Sequence, residues 1–170
     1  MNFLELAKER YSCRMFSDKK VEQEKIDKII NAAMIAPTAI NAQPFKIWII
    51  QKEPDIKKVA EATPFTFGTS TIFAVGVKSD SAYRRKFDGK NFAEIDGAIV
   101  GTHIMLEIAD LGLGTTWVGH FDPKILKSNF PQMAEYEIVA LFPVGYPSED
   151  AKPSDRHDVS KSKEELVEVL

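Results

Sequence analysis

Lys46-Ile47-Trp48-Ile49-Ile50-Gln51 is a run of β-branched and aromatic residues with the composition of a buried strand. Directly ahead of it stands Ala36-Pro37-Thr38-Ala39-Ile40-Asn41-Ala42-Gln43-Pro44-Phe45, and ahead of that, from Val21 to Ala36, the residues Ile26, Ile29, Ile30, Ala33 and Met34 recur at spacings of three and four. That recurrence predicts a helix, and Pro37 stops it because a proline ring has no N–H to carry the ladder on. A second run, Ile72 to Val77, bounded by Ser/Thr and Lys78-Ser79-Asp80, predicts another buried strand. Between the two, Pro54 suits the first turn of a short helix carrying Ile56, Val59 and Ala60.

Further out, Asn2 to Glu9 sets Phe3, Leu6 and Ala7 on one helical face. Phe92 to Leu111 is the longest periodic segment, with Ile95, Ile99, Leu106 and Ala109 on one stripe, Ala98, Met105 and Ile108 beside it, and Gly112 as its left-handed cap. Its apolar face is wide enough for a helix buried over much of its circumference. A short strand near Thr115 to Val118, a helical piece after Asp122-Pro123, a strong strand from Glu137 to Val144 and an amphipathic turn from Glu164 to Leu170 complete the chain. Strands and helices alternate without a strict strand-helix-strand register, so the expected class is α+β, a mixed sheet packed by helices in one domain over 1–170.

The bulk numbers fit that reading. The chain has 170 residues, 44% hydrophobic and 28% charged, with a formal net charge of −3 and a pI near 5.7. Its cations are dispersed among acids, so nucleic acid is not an expected partner. Cys13 is the single cysteine; it cannot form an internal disulfide, and its ordinary reading is a small buried apolar residue. The first ten residues mix acids and bases without a long apolar core, and no window approaches a membrane span. The expectation is a cytoplasmic protein with no membrane partner.

No phosphate loop, no Gly-x-Gly-x-x-Gly after a strand and no metal-ligand spacing is present, and His103, His120 and His157 lie far apart. Four segments carry candidate chemistry. Arg10-Tyr11-Ser12-Cys13-Arg14-Met15-Phe16 offers two guanidinium groups and a hydroxyl ahead of an apolar anchor, and the planar guanidinium fork suits phosphate. In the Pro37 to Phe45 segment, Thr38, Asn41 and Gln43 both donate and accept hydrogen bonds, the inventory for reading a planar heterocycle edged with C=O and N–H groups. Leu111-Gly112-Leu113-Gly114-Thr115-Thr116-Trp117-Val118-Gly119 and Pro143-Val144-Gly145-Tyr146-Pro147, with Arg156 downstream, hold glycines that let backbone approach a ligand. Singly, each has a plain alternative: a solvated turn, a proline-stiffened turn, a helix cap.

As an ordered set the four segments resemble the nitroreductase family of flavoproteins. Arg10, Ser12, Arg14 and Phe16 match its opening Arg-x-Ser-x-Arg-x-Phe, and Pro37, Thr38, Asn41, Gln43, Pro44 and Phe45 match its Pro-Ser/Thr-x-x-Asn-x-Gln-Pro-aromatic element. The Gly-Leu-Gly-x-x-Trp-x-Gly stretch and the late Gly-Tyr-Pro with a following Arg match too, so the likeness runs from Arg10 to Arg156. The chain departs from the common pattern at Tyr11, at Ala39, where a second Ser is frequent, and in its short Ser79 to Asn91 connection.

The resemblance implies a mixed, mainly antiparallel sheet, an FMN cofactor and a homodimer. It assigns Arg10, Tyr11, Ser12 and Arg14 to the flavin phosphate and pyrimidine edge, with Arg156 joining at the phosphate. Pro37, Thr38, Ala39, Asn41 and Gln43 reach the flavin from the other subunit, and Trp117, Val118, Gly119 and His120 run beside the isoalloxazine. NADH or NADPH is the implied transient donor, a nitroaromatic or quinone-type molecule the acceptor, and the two share one flavin face in ping-pong turnover without a dedicated catalytic residue. Open alternatives are a flavin reductase or dehalogenase-type enzyme of the same fold, a flavin storage or sensing module without turnover, and an unrelated α+β binding domain.

Overall fold

A computed structural model describes residues 2–170; Met1, the first residue of the segment read for a leader, lies outside them. The helices are α1 (Phe3–Glu9), α2 (Gln23–Met34), α3 (Glu53–Ala62), α4 (Ala93–Asp110), α5 (Pro123–Asn129) and α6 (Lys163–Leu166), and the strands are β1 (Phe45–Ile50), β2 (Thr71–Val77), β3 (Gly114–Thr115) and β4 (Glu137–Gly145). The strands form one sheet in the order β1-β2-β4-β3. All three pairings are antiparallel, and an isolated parallel bridge joins Ser12 to Thr115. The α+β class is therefore as expected.

Local chemistry explains the element ends. Asn2 and Glu5 form a capping box on α1, and the Asp122 carboxylate accepts from the Lys124 and Ile125 N–H groups at the start of α5. At the end of α4, Gly112 adopts φ +70°. Leu113 N–H then reaches the Ile108 carbonyl, and Gly112 N–H the Ala109 carbonyl, both at 3.0 Å. This double bond set closes the orphan carbonyls of the last turn, and only a residue without a Cβ takes that φ at no cost.

The sheet is buried on both faces. Phe73 and Val75 of β2 with Ala140, Phe142 and Val144 of β4 meet α2 and α4 on one side. Ile72 and Ala74 with Ile138 and Leu141 meet Val59, Ala62 and Leu126 from α3 and α5 on the other. The register slips between Val75 and Gly76, leaving Val139 as the extra residue of a bulge. Every residue of β2 is buried, as a central strand requires.

Several expectations are corrected. The 46–51 run is not a buried strand but an edge strand, with Ile50 alone fully buried, because only one neighbour pairs with it. The 115–118 strand shortens to Gly114–Thr115, and Val118 rejoins through a single bridge to Leu141. The face of α1 stays open, with Phe3 and Leu4 exposed, and α6 buries nothing. In α4 the buried stripe is Ala93, Asp96, Gly97, Val100, Gly101, Ile104 and Ile108. Of the residues read as its apolar stripe, Ile99 packs half-buried against the core, Leu106 and Ala109 are half-buried and Ile95 is 36% exposed.

The inner stripe contains Gly97 and Gly101 because the helix lies too close to the sheet for side chains there. A Cβ on Gly101 would stand 2.6 Å from Trp117 Cζ3 and 2.9 Å from Phe142 Cζ, and one on Gly97 would stand 2.8 Å from both Val77 Cγ1 and Val139 Cγ2. Gly101→Val is expected to cost about 1–3 kcal/mol through overpacking. Urea unfolding followed by tryptophan emission checks this, with Trp117 reporting the displacement directly.

Candidate functional site

Residues 12–17 run along the β3 edge of the sheet. Ser12 bridges Thr115 and Phe16 bridges Pro147, Cys13 N–H donates to the Thr115 carbonyl at 2.9 Å and Ser17 N–H to the Tyr146 carbonyl at 2.9 Å. Three segments far apart in sequence thus become neighbours. Cys13 is the peg that holds them: its side chain is fully buried, and its thiol donates to the Met15 carbonyl at 3.3 Å. The ordinary reading of this cysteine stands.

Arg10 is the C-cap of α1. With Tyr11, Gly112, Gly114, Thr115 and Pro147 it lines a cavity of about 200 Å³. The Thr115 hydroxyl is buried and has no hydrogen-bond partner among the described residues. Burial pushes the Tyr11 phenol up from its ordinary pKa, and the neighbouring Cys13 adds to the shift. The tail returns to this end of the molecule: His157 Nε2–H donates to the Lys8 carbonyl at 3.0 Å, and its ring stands edge-on to Tyr11 with centroids 6.4 Å apart. The turn containing Arg156 is thereby held near Arg10.

Arg14 is exposed, with Nη1 donating to the Ser12 carbonyl at 3.1 Å. It shares a second cavity of about 230 Å³ with Phe65, Phe67 and the strip Thr116 to His120. Within that strip the Trp117 ring turns into the core, edge-to-face with Phe142 at 5.1 Å, and Val118 is buried while Gly119 and His120 are exposed. The Thr63 hydroxyl donates to the His120 carbonyl at 2.7 Å. His103, by contrast, is spent locally: Nδ1–H donates to the Ile99 carbonyl at 2.9 Å.

The 37–43 segment stands elsewhere. It leads into β1, at the sheet edge opposite β3. Three interstrand steps of ~4.8 Å separate those edges by about 14 Å, and no residue of 37–43 lines either cavity. Its backbone is strained: Ile40, Asn41 and Gln43 have φ of 52°, 56° and 47°, a region that costs of order 1 kcal/mol or more for a β-branched residue such as Ile40. Two bonds hold it. The Thr38 hydroxyl accepts from Gln43 N–H at 3.0 Å, and Asp96 Oδ1 in the first turn of α4 accepts from Ala39 N–H at 2.9 Å. Asn41 and Gln43 are left exposed.

The structure therefore sets Arg10 and Tyr11 in one cavity and Arg14, Trp117, Val118, Gly119 and His120 in a second, bridges Ser12 to Thr115 beside them, brings the turn of Arg156 to the same end through His157, and leaves Pro37, Thr38, Ala39, Asn41 and Gln43 out of both cavities. Sequence reasoning missed three participants. Asp96 is 1% exposed with Oδ2 unpartnered, and it hides in the sequence as an ordinary acid in a helix first turn. Phe65 stacks on Phe67 at 5.8 Å and meets the His120 ring at 5.6 Å. Nothing in Thr63-Pro64-Phe65-Thr66-Phe67 marks it as more than a turn. Among the described residues no His/Cys/Asp/Glu group is placed to hold a metal ion, and no helix is long and apolar enough to cross a membrane.

The chain is similar in sequence and fold to known proteins. The Nitroreductase family model matches residues 7–67 and 63–146. A protein of Methanothermobacter thermautotrophicus, provisionally named NADH dehydrogenase/NAD(P)H nitroreductase, is 30% identical over 163 residues, which is 93% of this chain and 84% of that one. The crystal structure of a nitroreductase family protein from Clostridium difficile 630 is 37% identical and superposes with a TM-score of 0.92 over 99% of this chain and 98% of its own. A provisionally assigned nitroreductase from Desulfovibrio desulfuricans, solved in complex with FMN, shares the fold at 22% identity, with a TM-score of 0.80 over 98% of this chain and 96% of its own. With the opening arginine motif, the Gly-Leu-Gly strip and the late Gly-Tyr-Pro gathered on one sheet edge as the resemblance requires, the chain belongs to the nitroreductase family.

Proposed function

We propose that this chain is an FMN-dependent oxidoreductase that takes electrons from NADH or NADPH and passes them to nitroaromatic or quinone-type acceptors, each copy being one domain over 1–170. The carrying observation is the convergence of Arg10, Ser12 and Arg14 with the Trp117 to His120 strip along one sheet edge. The residues fit the cofactor: guanidinium groups for a phosphate, a buried Thr115 hydroxyl without a partner beside them, and an exposed Gly119 at which a planar ring can approach backbone. Such a family role is also the one named for the Methanothermobacter relative.

Bound FMN supplies reversible hydride uptake. Everything else falls to the chain. Arg10, Ser12 and Arg156 would hold the phosphate, the arginine guanidinium groups offsetting a charge near −2. Arg14 stabilises negative charge at the pyrimidine edge. Asn41 and Gln43 of a second copy read the C=O and N–H edges of the ring, while Thr38, committed to Gln43 N–H, shapes that segment and Asp96 anchors it at Ala39. With no dedicated acid or base among the candidate residues, donor and acceptor would use the same site in turn, and the expected turnover is ping-pong. NAD(P)H is an intracellular donor, which places this activity in the cytoplasm.

The gap between the two halves of the site within one chain supports a second copy as the source of the ring-edge half. That copy also has somewhere to dock. Ile95 on α4 is exposed and Leu106 half-buried, and Met34, Ile35 and Ile40 are 60%, 80% and 78% exposed. A two-fold dimer built on these surfaces is isologous and holds two equivalent sites.

Replacing Arg10 or Arg14 by Ala is expected to weaken FMN retention by about 1.5–3 kcal/mol each, the range for hydrogen bonds to charged groups, with the fold kept. Riboflavin, which lacks the phosphate, should bind far more weakly than FMN; fluorescence titration giving equal affinities would refute the arginine role. Flavin binding and dimerisation should be linked, because a ligand that binds only the dimer stabilises it by mass action. Sedimentation of stripped and FMN-loaded protein over a dilution series should show dissociation shifted to lower concentration by FMN. A monomer holding FMN at full affinity would overturn the shared site.

A further inference from the structure

The short Ser79 to Asn91 connection folds into a hairpin that the function above does not use. Phe92 N–H donates to the Tyr83 carbonyl at 3.0 Å and Arg85 N–H to the Lys90 carbonyl at 2.9 Å, and Arg84 bridges Asn91 in antiparallel fashion. Its far end reads Arg84-Arg85-Lys86-Phe87-Asp88-Gly89-Lys90. Four cations against one acid give a local charge of +3 in a chain whose net charge is −3. Asp88 is neutralised by Arg85 through two bonds, Nε to Oδ1 at 2.8 Å and Nη2 to Oδ2. Lys86 and Lys90 have no ion pair among the described residues, and Arg84 gives only one N–H, to the Gly89 carbonyl at 2.9 Å. At the tip stands Phe87, 98% exposed.

The base of the hairpin lines a hollow that reaches the ring-side strip. That base closes at Phe92, the N-cap of α4. Four residues later Asp96 holds Ala39, and Lys78 N–H donates to the Pro44 carbonyl at 2.8 Å, so the hairpin and the 38–44 segment are clamped to the same end of one helix. The Asn91 side chain donates to the Ser79 carbonyl at 2.7 Å. Ser79 in turn lines an open hollow of about 810 Å³ that runs to Gly119, the exposed end of the ring-side strip.

Resting on the oxidoreductase reading, we infer that this hairpin is the docking site for the phosphate-bearing half of the nicotinamide dinucleotide, which explains how a chain without a dinucleotide fingerprint captures its donor. Arg84, Lys86 and Lys90 supply the donors and charge that pyrophosphate and a ribose phosphate require. The Phe87 ring supplies a face for adenine, since a base stacks on an exposed aromatic whatever its edge pattern. The nicotinamide end is left free to reach the ring at Gly119.

The test titrates FMN-loaded protein with 2′-phospho-ADP-ribose, which has the phosphates and adenine but no nicotinamide, and compares wild type with Arg84→Ala/Lys86→Ala and with Phe87→Ala. Affinity is expected to fall roughly tenfold or more in the double variant and to weaken with salt, and Phe87→Ala should weaken phospho-ADP-ribose but not inorganic pyrophosphate. In steady state the double variant should raise the KM for NADPH with kcat unchanged, while a simple dihydronicotinamide without phosphates keeps its wild-type kcat/KM. Equal affinity in wild type and the double variant, no measurable binding to wild type, or equal loss with the phosphate-free donor would each overturn the hairpin assignment. Failure of the underlying reading looks different: wild type would retain no FMN or would not oxidise the phosphate-free donor.

Discussion

The contact of α4 with the sheet through Gly97 and Gly101 is the constraint on which the rest of the molecule depends. Because no side chain stands between helix and sheet at those two positions, Trp117, Phe142, Val77 and Val139 close directly on the helix backbone. The helix then has its Gly97 and Gly101 stripe consumed by the sheet, while Ile99 packs half-buried against the core and Ile95 stays exposed. Its two ends take on separate tasks. The N-terminal end grips the 38–43 segment through Asp96, and the C-terminal end turns at Gly112 into the β3 edge where the opening arginines lie.

Asp96 is an expensive way to hold a loop. A carboxylate 1% exposed with one oxygen unpartnered forgoes solvation worth on the order of several kcal/mol. The loop it holds is itself strained at Ile40, Asn41 and Gln43. Such an accumulation persists only where the geometry is used. Its effect is to present the exposed Asn41 and Gln43 in a fixed arrangement, as the proposed shared flavin site needs.

Strong periodicity and terminal chemistry made most elements readable in advance. Pro37 and Gly112 marked helix ends that the structure keeps, and the β-branched run at 72–77 is the central strand. The errors share a cause: composition reports hydrophobicity but not which neighbour removes a residue from water. Ile47, Trp48 and Ile49 look as buried as Phe73 and Val75 in sequence, yet pairing on one side only leaves them half covered. In α4 the small residues facing the sheet gave no apolar signal, so the larger Ile and Leu side chains were read as the core face. For the site, fixed-spacing motifs announced Arg10, Ser12 and Arg14, and the structure sets Arg14 against the Trp117 to His120 strip, with Ser12 bridged to Thr115 and Arg10 in the neighbouring cavity. Asp96, Phe65 and Phe67 carry no motif, and only tertiary packing reveals them.

The central claim is that each flavin site is completed by two chains, and mixed dimers test it most directly. An Arg10→Ala/Arg14→Ala chain lacks the phosphate side, and an Asn41→Ala/Gln43→Ala chain lacks the ring-edge side, so each alone should hold little FMN. In a purified mixed dimer one site collects both defects and the other collects neither. Flavin stoichiometry should therefore return to one tightly bound FMN per mixed dimer. A mixed dimer as empty as its two parents would show that both halves of the site belong to the same chain, and would contradict the account.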